Sequence, residues 1–287
     1  MSSPAALLSE LQVERISVVR DPSLPGLELL KAENSVREWK IFNTVHSINI
    51  SDSWLGNVEY RGRVSQVTPG NVFCTEPGEA HSTSRPAAPG SLRVLTMEEA
   101  PLRKQLEELN VHTRHIHFAE TVTCKAALQL RRLMSSFGAV GTSSLEIQSA
   151  FVDLVTVIAH QLLTDRPTRP AAVDDSSVLA DQMRDLLHAR VQEGASLSLD
   201  ELAAAADLDR FRALRVFKRR HGMPPHTYEL CLRLSRARDL LKAGMSVAAT
   251  AVECGFADQS HMTRHFRRSF GMTPAKYAPA VRSANFR

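Results

Sequence analysis

The chain has little cysteine, few aromatic residues and no long uninterrupted apolar run. Its four cysteines lie far apart and form no CxxC pair, which excludes a disulfide-stapled secreted scaffold and predicts free thiols in a reducing cytoplasm. The most apolar stretch, residues 145–163, is interrupted by charged and amide side chains, so we expect no membrane span. Because the N-terminus lacks a basic start followed by an apolar run, no secretory signal is predicted.

The chain does contain enough apolar sequence for two packed domains. Its 287 residues, 43% of them apolar, favour about two domains. The formal net charge of +4 is unevenly divided: residues 177–287 hold 18 Lys and Arg against 11 Asp and Glu, or +7, whereas residues 1–176 hold 17 against 20, or −3. A basic C-terminal part indicates a polyanionic partner, most often nucleic acid, although many enzymes also carry basic patches.

A segment with two prolines and no apolar periodicity, residues 164–177, separates the two parts. The predicted organisation is an N-terminal domain over residues 1–164, a linker over 165–177 and a C-terminal domain over 178–287. Up to about residue 100, short β-branched segments between turn residues are typical of an antiparallel barrel or sandwich. Beyond the linker, helical segments broken at Gly and Pro predict a bundle.

Two helices are predicted between the strands and the linker, over residues 123–137 and 144–163. The second carries two apolar stripes, of which one is enough to dock the helix on a sheet. The other stripe indicates either the preceding helix or a second subunit as its partner, and both alternatives remain open. The residues predicted for dimerisation are Val152, Val155, Ala159 and Leu162.

Within the C-terminal part the sequence repeats itself at a shift of 49 residues. Eight of the 20 positions from 209 to 228 are identical to their counterparts, among them Arg215 with Arg264 and Phe217 with Phe266. Phe, Gly, Pro and Tyr have the same spacing in both copies, which argues against a chance match. We interpret the repeat as a duplicated structural unit.

Each copy is predicted to form a helix, a tight turn and a second helix, with Asp209 and Asp258 as N-caps of the second helices. One face of each second helix is apolar, and the opposite face is rich in cations. The outward residues are Phe211, Arg212, Leu214, Arg215 and Lys218 in the first copy and Gln259, Ser260, His261, Thr263, Arg264 and Arg267 in the second. Most charged helix faces are merely solvated, but these two faces recur at the same shift of 49 residues. They suit a DNA major groove, where Arg pairs with guanine and methyl groups contact thymine.

The second copy, GFADQSHMTRHFRRSFGMTPAKY, carries the signature GFxDxSHxxRxFxRxFGxTPxxY. With the first copy it resembles the double helix-turn-helix domain of AraC/XylS-type transcription regulators, and the resemblance covers residues 181–277. It implies that a long helix, residues 227–242, places the two recognition helices about 34 Å apart on successive major grooves. Leu214 departs from the family pattern, in which this position is more often polar.

The resemblance also assigns roles to residues of the two recognition helices. Base reading falls on Phe211, Leu214, Arg215, Ser260 and Arg264, and the neighbouring outward residues Gln259 and His261 are further base-reading candidates. Phosphate contacts, which position a protein on DNA without reading sequence, fall on Lys218, Arg219, Arg267 and Arg268.

By the same resemblance, the N-terminal domain is a cupin-like barrel that binds an effector and dimerises. The segment TPGNVFCTEPGEAHST resembles a strand pair of such a barrel, although it could equally be a strand and turn in which His81 packs structurally. A pocket for an organic effector needs aromatic and hydrogen-bonding groups. The candidates are Trp39, His46, Trp54, Tyr60, Arg63 and His81.

A metal-dependent cupin enzyme is the competing hypothesis, and it requires an HxH pair followed by Glu. The corresponding region offers only His46, with Asn49 and Glu59 at unsuitable positions, so no enzyme, cofactor or metal site is predicted. The predicted fold class is α+β, with an N-terminal cupin-like antiparallel β-barrel plus two helices and a C-terminal all-α double helix-turn-helix domain.

The predicted function is a sequence-specific transcription regulator in the bacterial cytoplasm, an activator by the family's majority. The expected partners are double-stranded promoter DNA, a small-molecule effector, RNA polymerase and a second copy of the chain, with no membrane. Two alternatives remain: a constitutive regulator with a non-sensing N-terminal domain, and a metal enzyme fused to a DNA-binding domain.

Overall fold

The computed structural model describes residues 13–21, 24–113, 116–118, 128, 130, 131, 134, 135, 143–163 and 175–282. In these residues, the strands, two α-helices and a π-helical turn (Ile158–Leu162) come first, and seven further α-helices follow. The strands are β1 (Arg15–Val19), β2 (Leu27–Ser35), β3 (Lys40–Phe42), β4 (His46–Ser51), β5 (Gly56–Tyr60), β6 (Arg63–Val67), β7 (Val72–Thr75), β8 (Ala80–Thr83) and β9 (Gly90–Met97). The helices are α1 (Glu99–Glu108), α2 (Ser144–Val157), α3 (Asp175–Gln192), α4 (Leu199–Ala205), α5 (Arg210–His221), α6 (Pro225–Lys242), α7 (Val247–Glu253), α8 (Gln259–Phe270) and α9 (Pro274–Arg282).

Two predicted segments fall largely outside the described residues. Of the helix predicted over residues 123–137, the structure describes residues 128, 130, 131, 134 and 135, and all five are helical. Residues 164–174 of the predicted linker lie outside the described residues, and α3 begins at Asp175. In the described ranges no helix is long and apolar enough to cross a membrane.

The strands form two antiparallel sheets, in the orders β1-β2-β9-β4-β7 and β3-β8-β5-β6. The antiparallel sheet domain predicted from the sequence is confirmed, but no ladder joins the two sheets among the described strands, so they form two open sheets and not a closed barrel. A helix covers one edge strand of each sheet: α9 packs against β1, and α6 packs against β3. Covering an edge with a helix is an alternative to closure because it also shields the edge from further strand pairing.

Strand β4 shows why the five-stranded sheet has two different faces. Successive side chains of a strand point to opposite sides, so Ile48 and Ile50 enter the apolar core beneath α1 and α2. Ser47 and Asn49 alternate with them and face the space between the sheets. Helix α2 begins with a capping box, in which Ser143 Oγ accepts from the backbone N of Glu146. One face of this sheet is therefore core, and the other lines a cavity.

The C-terminal helices bury two further apolar clusters, one for each copy of the repeat. The first centres on Phe217 and Tyr228, and the second on Phe266 and Tyr277. Helix α6 lies between them, and its buried Arg233 donates to the carbonyl oxygens of Gly255 (2.5 Å) and Ala195 (3.0 Å). Because these hydrogen bonds satisfy carbonyl groups in both units, the two units are tied to one helix.

The sheets pack directly on the helical part. Ser235 Oγ of α6 donates to the carbonyl oxygen of Phe42 in β3 at 2.8 Å, and Cys231 Sγ donates to that of Lys40 at 3.3 Å. Ile16 and Val18 of β1 contact the apolar cluster of the second repeat. The N-terminal sheets therefore rest on the helix that connects the two copies.

Candidate nucleic-acid interface

Both helices of the first helix-turn-helix unit are capped, and Asp209 is the N-cap that the sequence predicts. Ser198 and Glu201 form a capping box at the start of α4, with Ser198 Oγ accepting from the backbone N of Glu201 at 3.1 Å. Asp209 opens α5 by accepting from the backbone N of Phe211 and of Arg212, both at 2.9 Å. The helix ends at Gly222, whose φ of 75° is in the left-handed region that favours glycine. Local capping therefore fixes where α5 begins and ends.

The second unit repeats this construction. Ser246 caps α7 by accepting from the backbone N of Ala249 at 3.2 Å, and Asp258 caps α8 by accepting from that of His261 at 2.7 Å. Helix α8 ends at Gly271, with a φ of 73°. The duplicated unit predicted from the sequence is thus confirmed in the backbone.

The two second helices bury equivalent positions and expose equivalent positions. Ala213 and Phe217 of α5 and Met262 and Phe266 of α8 are each 0% exposed, and they hold the helices on the bundle. The remaining candidates for DNA contact lie outward. Exposed are Phe211, Arg215, Lys218, Arg219, Gln259, Ser260, Arg264, Arg267 and Arg268, and half-buried are Leu214 and His261.

Several of these side chains are not engaged by the chain itself. Arg215 and Arg264 form no hydrogen bond or ion pair with any described residue, whereas Arg219 donates to Ser176 Oγ. An exposed guanidinium with unoccupied donors can make a bidentate contact to guanine. Arg215 and Arg264 are therefore exposed, with guanidinium donors that no described residue occupies.

The N-terminal sheets hold the end of the second helix. Arg37, beside β3, donates from Nη1 to the carbonyl oxygens of Arg268 (2.9 Å) and Arg267 (3.2 Å), the last turn of α8. Glu14 in turn pairs with the Arg37 guanidinium. Cations stabilise helix C-termini because the last carbonyl groups carry partial negative charge. The orientation of α8 is therefore linked to the strands.

A cavity of about 80 Å³ lies between the two sheets and reaches the helical part. Trp39, Trp54 and His81, three of the predicted effector residues, line it. Residues that the sequence did not single out for effector binding complete the lining, among them Asn43, Asn49, Glu28, Arg238 and Phe270. Their only sequence signal was polar alternation in β4, because Arg238 and Phe270 come from distant helices.

Three other predicted effector residues lie elsewhere. His46 is on the opposite face of β4, where its Nε2 is 3.1 Å from the Ile116 carbonyl oxygen, while Arg63 is exposed on β6. The Tyr60 hydroxyl donates to Glu79, and burial raises its pKa. Burial likewise lowers the pKa of His81 to about 4, so the imidazole that lines the cavity is neutral near pH 7.

Where the cavity meets the helical part, one buried carboxylate is surrounded by cations. Glu28 Oε2 lies 2.8 Å from Arg20 Nη2 and 3.6 Å from Lys242 Nζ, and it accepts from the Tyr277 hydroxyl at 3.3 Å. Burial alone would raise the pKa of Glu28, but the charges of Lys242, Arg238 and Arg20 hold it below its usual value. We call this group, Glu28 with Arg20, Arg238, Lys242 and Tyr277, the charged seam. It joins the sheets to α6 and α9.

The residues predicted for dimerisation differ in how far they are exposed. Val152 is 43% exposed and Ala159 is half-buried, but Val155 is 0% exposed and belongs to the core of its own domain. The side chain of Leu162 lies outside the described residues. In the described ranges no group of three or more His, Cys, Asp or Glu is placed to hold a metal ion.

Residues 202–279 match a family model described as a helix-turn-helix domain. Over 90 residues, or 31% of this chain, the sequence is 38% identical to the HTH-type transcriptional regulator GbdR of Pseudomonas aeruginosa. The match spans 24% of that relative, so most of its length has no counterpart in the alignment.

Two solved structures are also similar. A transcriptional regulator with an AraC-type DNA-binding domain from Chromobacterium violaceum is 31% identical, covering 37% of this chain and 95% of that one at a TM-score of 0.34. Apo ToxT from Vibrio cholerae is 12% identical. The match covers 89% of this chain and 98% of that one at a TM-score of 0.49. The family match falls on the two capped units described above, and through this helix-turn-helix domain the chain belongs to the AraC family of transcription regulators.

Proposed function

We propose that the chain binds promoter DNA sequence-specifically, with α5 and α8 in successive major grooves, and regulates transcription. The observation that carries the proposal is the pair Arg215 and Arg264, which lie at equivalent positions of two capped helices without partners in the described chain. Exposed Lys218, Arg267 and Arg268 on the same helices are suited to phosphate contacts. The same outward surface of α5 and α8 thus supplies both the residues that read bases and the residues that position the protein on the DNA backbone.

Substitution of each arginine tests this proposal. Arg215→Ala and Arg264→Ala should each weaken binding to a selected DNA site by about 5-fold to 150-fold, the equivalent of one bidentate base contact. Arg85→Ala removes an exposed arginine of the loop after β8 and serves as the control. Footprints and affinities that stay unchanged in both reading variants would contradict the assignment of these residues.

In the same proposal, residues 1–164 sense a small molecule, residues 165–177 connect, and residues 178–287 read DNA. The cavity supports this division because its lining includes Arg238 of α6 and Phe270, the last residue of α8. A molecule in the cavity would touch both the helix that joins the units and the second reading helix. Occupancy can then change DNA affinity if it favours one arrangement of the two helices.

The charged seam indicates the chemistry of the occupant, a small organic anion. One carboxylate, Glu28, is buried there among three cations, Arg20, Arg238 and Lys242, and the nearby Asp239 is exposed. Arg238 is 9% exposed, and its Nε has no hydrogen-bond partner among the described residues. Buried unpaired donors are costly, and an added carboxylate would supply both an acceptor and the missing negative charge.

A ligand panel tests the sensing proposal. Small carboxylic acids and their matched amides should be compared by thermal unfolding of the full chain and by DNA affinity, since a ligand of the folded state raises Tm. A carboxylate is expected to raise Tm and change affinity, its amide to do neither, and Arg238→Gln to remove the response. Equal binding of an amide would refute the proposal that the occupant is an anion. No response to any compound would favour a constitutive regulator whose N-terminal domain does not sense a ligand.

The remaining partners follow from the same role. A second copy of the chain is proposed to pack on the exposed side of α2, where Leu145 is 72% and Val152 is 43% exposed. Light scattering of Val152→Asp against the unsubstituted chain measures this association. Activation through RNA polymerase in the bacterial cytoplasm is the proposed output, which in vitro transcription measures. The matched relative is a regulator, and no enzymatic activity is proposed.

A further inference from the structure

The two reading helices have the same backbone but different chemistry. Each is 12 residues long, begins at an aspartate N-cap and ends at a glycine with φ of 75° or 73°. Positions 49 residues apart therefore face the same way, as their buried phenylalanines, Phe217 and Phe266, confirm. Each outward residue of α5 can thus be compared with one counterpart in α8.

At two of these outward positions α5 is apolar where α8 is hydroxylated. Phe211 corresponds to Ser260, and Leu214 corresponds to Thr263, whereas both helices place arginine at the next position, 215 and 264. Phe211, Leu214 and Arg215 are spaced three and four residues apart, so they share one side of the helix. The first helix therefore presents an apolar patch beside its reading arginine.

The exposure of Phe211 is large for a phenylalanine. Its side chain is 64% exposed, and its ring contact within the chain is the Arg210 guanidinium, 5.6 Å from the centroid. The buried side of α5 is already filled by Ala213, Val216 and Phe217, so the patch has no room in the core. An apolar side chain flanked by cations on a DNA-facing helix points to a partner with both phosphates and an apolar group.

The major-groove edges of the four base pairs carry one apolar group, the C5-methyl of thymine. Resting on the proposed DNA binding, we infer that α5 selects thymines by methyl contact with Phe211 and Leu214, whereas α8, with Ser260 and Thr263 at these positions, selects its bases mainly through hydrogen bonds. The two half-sites of the operator are then chemically unequal. Replacement of thymine by uracil weakens binding more in the α5 half-site than in the α8 half-site, where only the Thr263 methyl can lose such a contact.

Replacement of thymine by deoxyuridine tests this inference because it removes only the methyl group. A site is selected from random DNA with the full chain, and each half-site is assigned by the footprint lost in Arg215→Ala or Arg264→Ala. Deoxyuridine in the α5 half-site should weaken binding about fourfold for each contacted methyl. The same replacement in the α8 half-site should weaken binding by at most one such factor, because Thr263 offers a single methyl group.

The chain supplies its own matched variant. Phe211→Ser with Leu214→Thr gives α5 the residues of α8, and it should reduce the methyl effect in the α5 half-site to that in the α8 half-site. Because both positions face outward, circular dichroism should show an unchanged fold. Methyl-independent binding of the α5 half-site by the unsubstituted chain, or a methyl effect that the double substitution leaves undiminished, would overturn the inference. Failure to select any sequence would instead overturn the proposed DNA binding.

Discussion

At the scale of single residues, burial decides what each phenylalanine of α5 contributes. Phe217 is 0% exposed and meets Tyr228 edge-on at a centroid distance of 5.4 Å, whereas Phe211 is 64% exposed. Phe217→Ala should therefore lower the free energy of unfolding by about 3–5 kcal/mol because it leaves a cavity. Phe211→Ala should change it by less than about 0.5 kcal/mol. Urea unfolding followed by circular dichroism measures both, and equal losses would contradict this distinction.

Single residues of the cavity lining could be predicted from the sequence only in part. Trp39, Trp54 and His81 could be selected by chemical type alone, because a binding pocket needs aromatic and polar groups. His46 shares that chemistry but lies on the other face of β4, because side chains alternate and a shift of one residue reverses the face. From the sequence, Asn49 stands out only as an unsuitable metal ligand, although the register of β4 directs it into the cavity.

At the scale of elements, the N-caps of the reading helices are the most direct link from sequence to structure. Asp258 accepts from the backbone N of His261, a donor with no partner inside the helix. Asp258→Ala should lower the free energy of unfolding by about 1 kcal/mol, and Asp258→Asn should retain most of it because asparagine caps equally well. Thermal unfolding and DNA affinity of both variants check this expectation. An asparagine variant as unstable as the alanine variant would show that charge, not capping, is responsible.

The helical elements were predictable and the sheet arrangement was not, for a physical reason. Caps, turn glycines and apolar periodicity act over a few residues, so α4, α5, α7 and α8 can be located from local sequence. Strand β2 pairs with β9, which lies more than 50 residues later in the chain. Such pairing depends on long-range packing, and the choice between a closed barrel and two open sheets left no local signal.

At the scale of the whole molecule, the charge of each part does not reveal how the parts meet. The N-terminal part is acidic in sum and the C-terminal part basic, yet the contact rests on particular side chains. Glu28 from β2 meets Lys242 of α6, and Arg37 holds the last turn of α8. The charged seam itself has more cations than anions, which the division into −3 and +7 could not show.

The excess of cations in the seam has a consequence for pH dependence. Burial and the nearby charge of Arg238 lower the pKa of Lys242 to about 8, although Glu28 opposes the shift. In the unfolded chain this lysine stays protonated to about pH 10.4. Between these values the unfolded state binds more protons than the folded state, so the free energy of unfolding contributed by Lys242 rises with pH.

The difference in unfolding free energy between the unsubstituted chain and Lys242→Met isolates this effect, because most other titrations cancel. It should be constant below about pH 8 and rise in favour of the lysine chain from about pH 8 to 10. Chemical unfolding at several pH values measures it, and a fall over that range would contradict the burial of an ammonium group among cations. A bound carboxylate adds negative charge to the seam and favours the protonated lysine. The rise should then begin at a higher pH in the presence of a carboxylate that binds the cavity, and at the same pH in the presence of its amide.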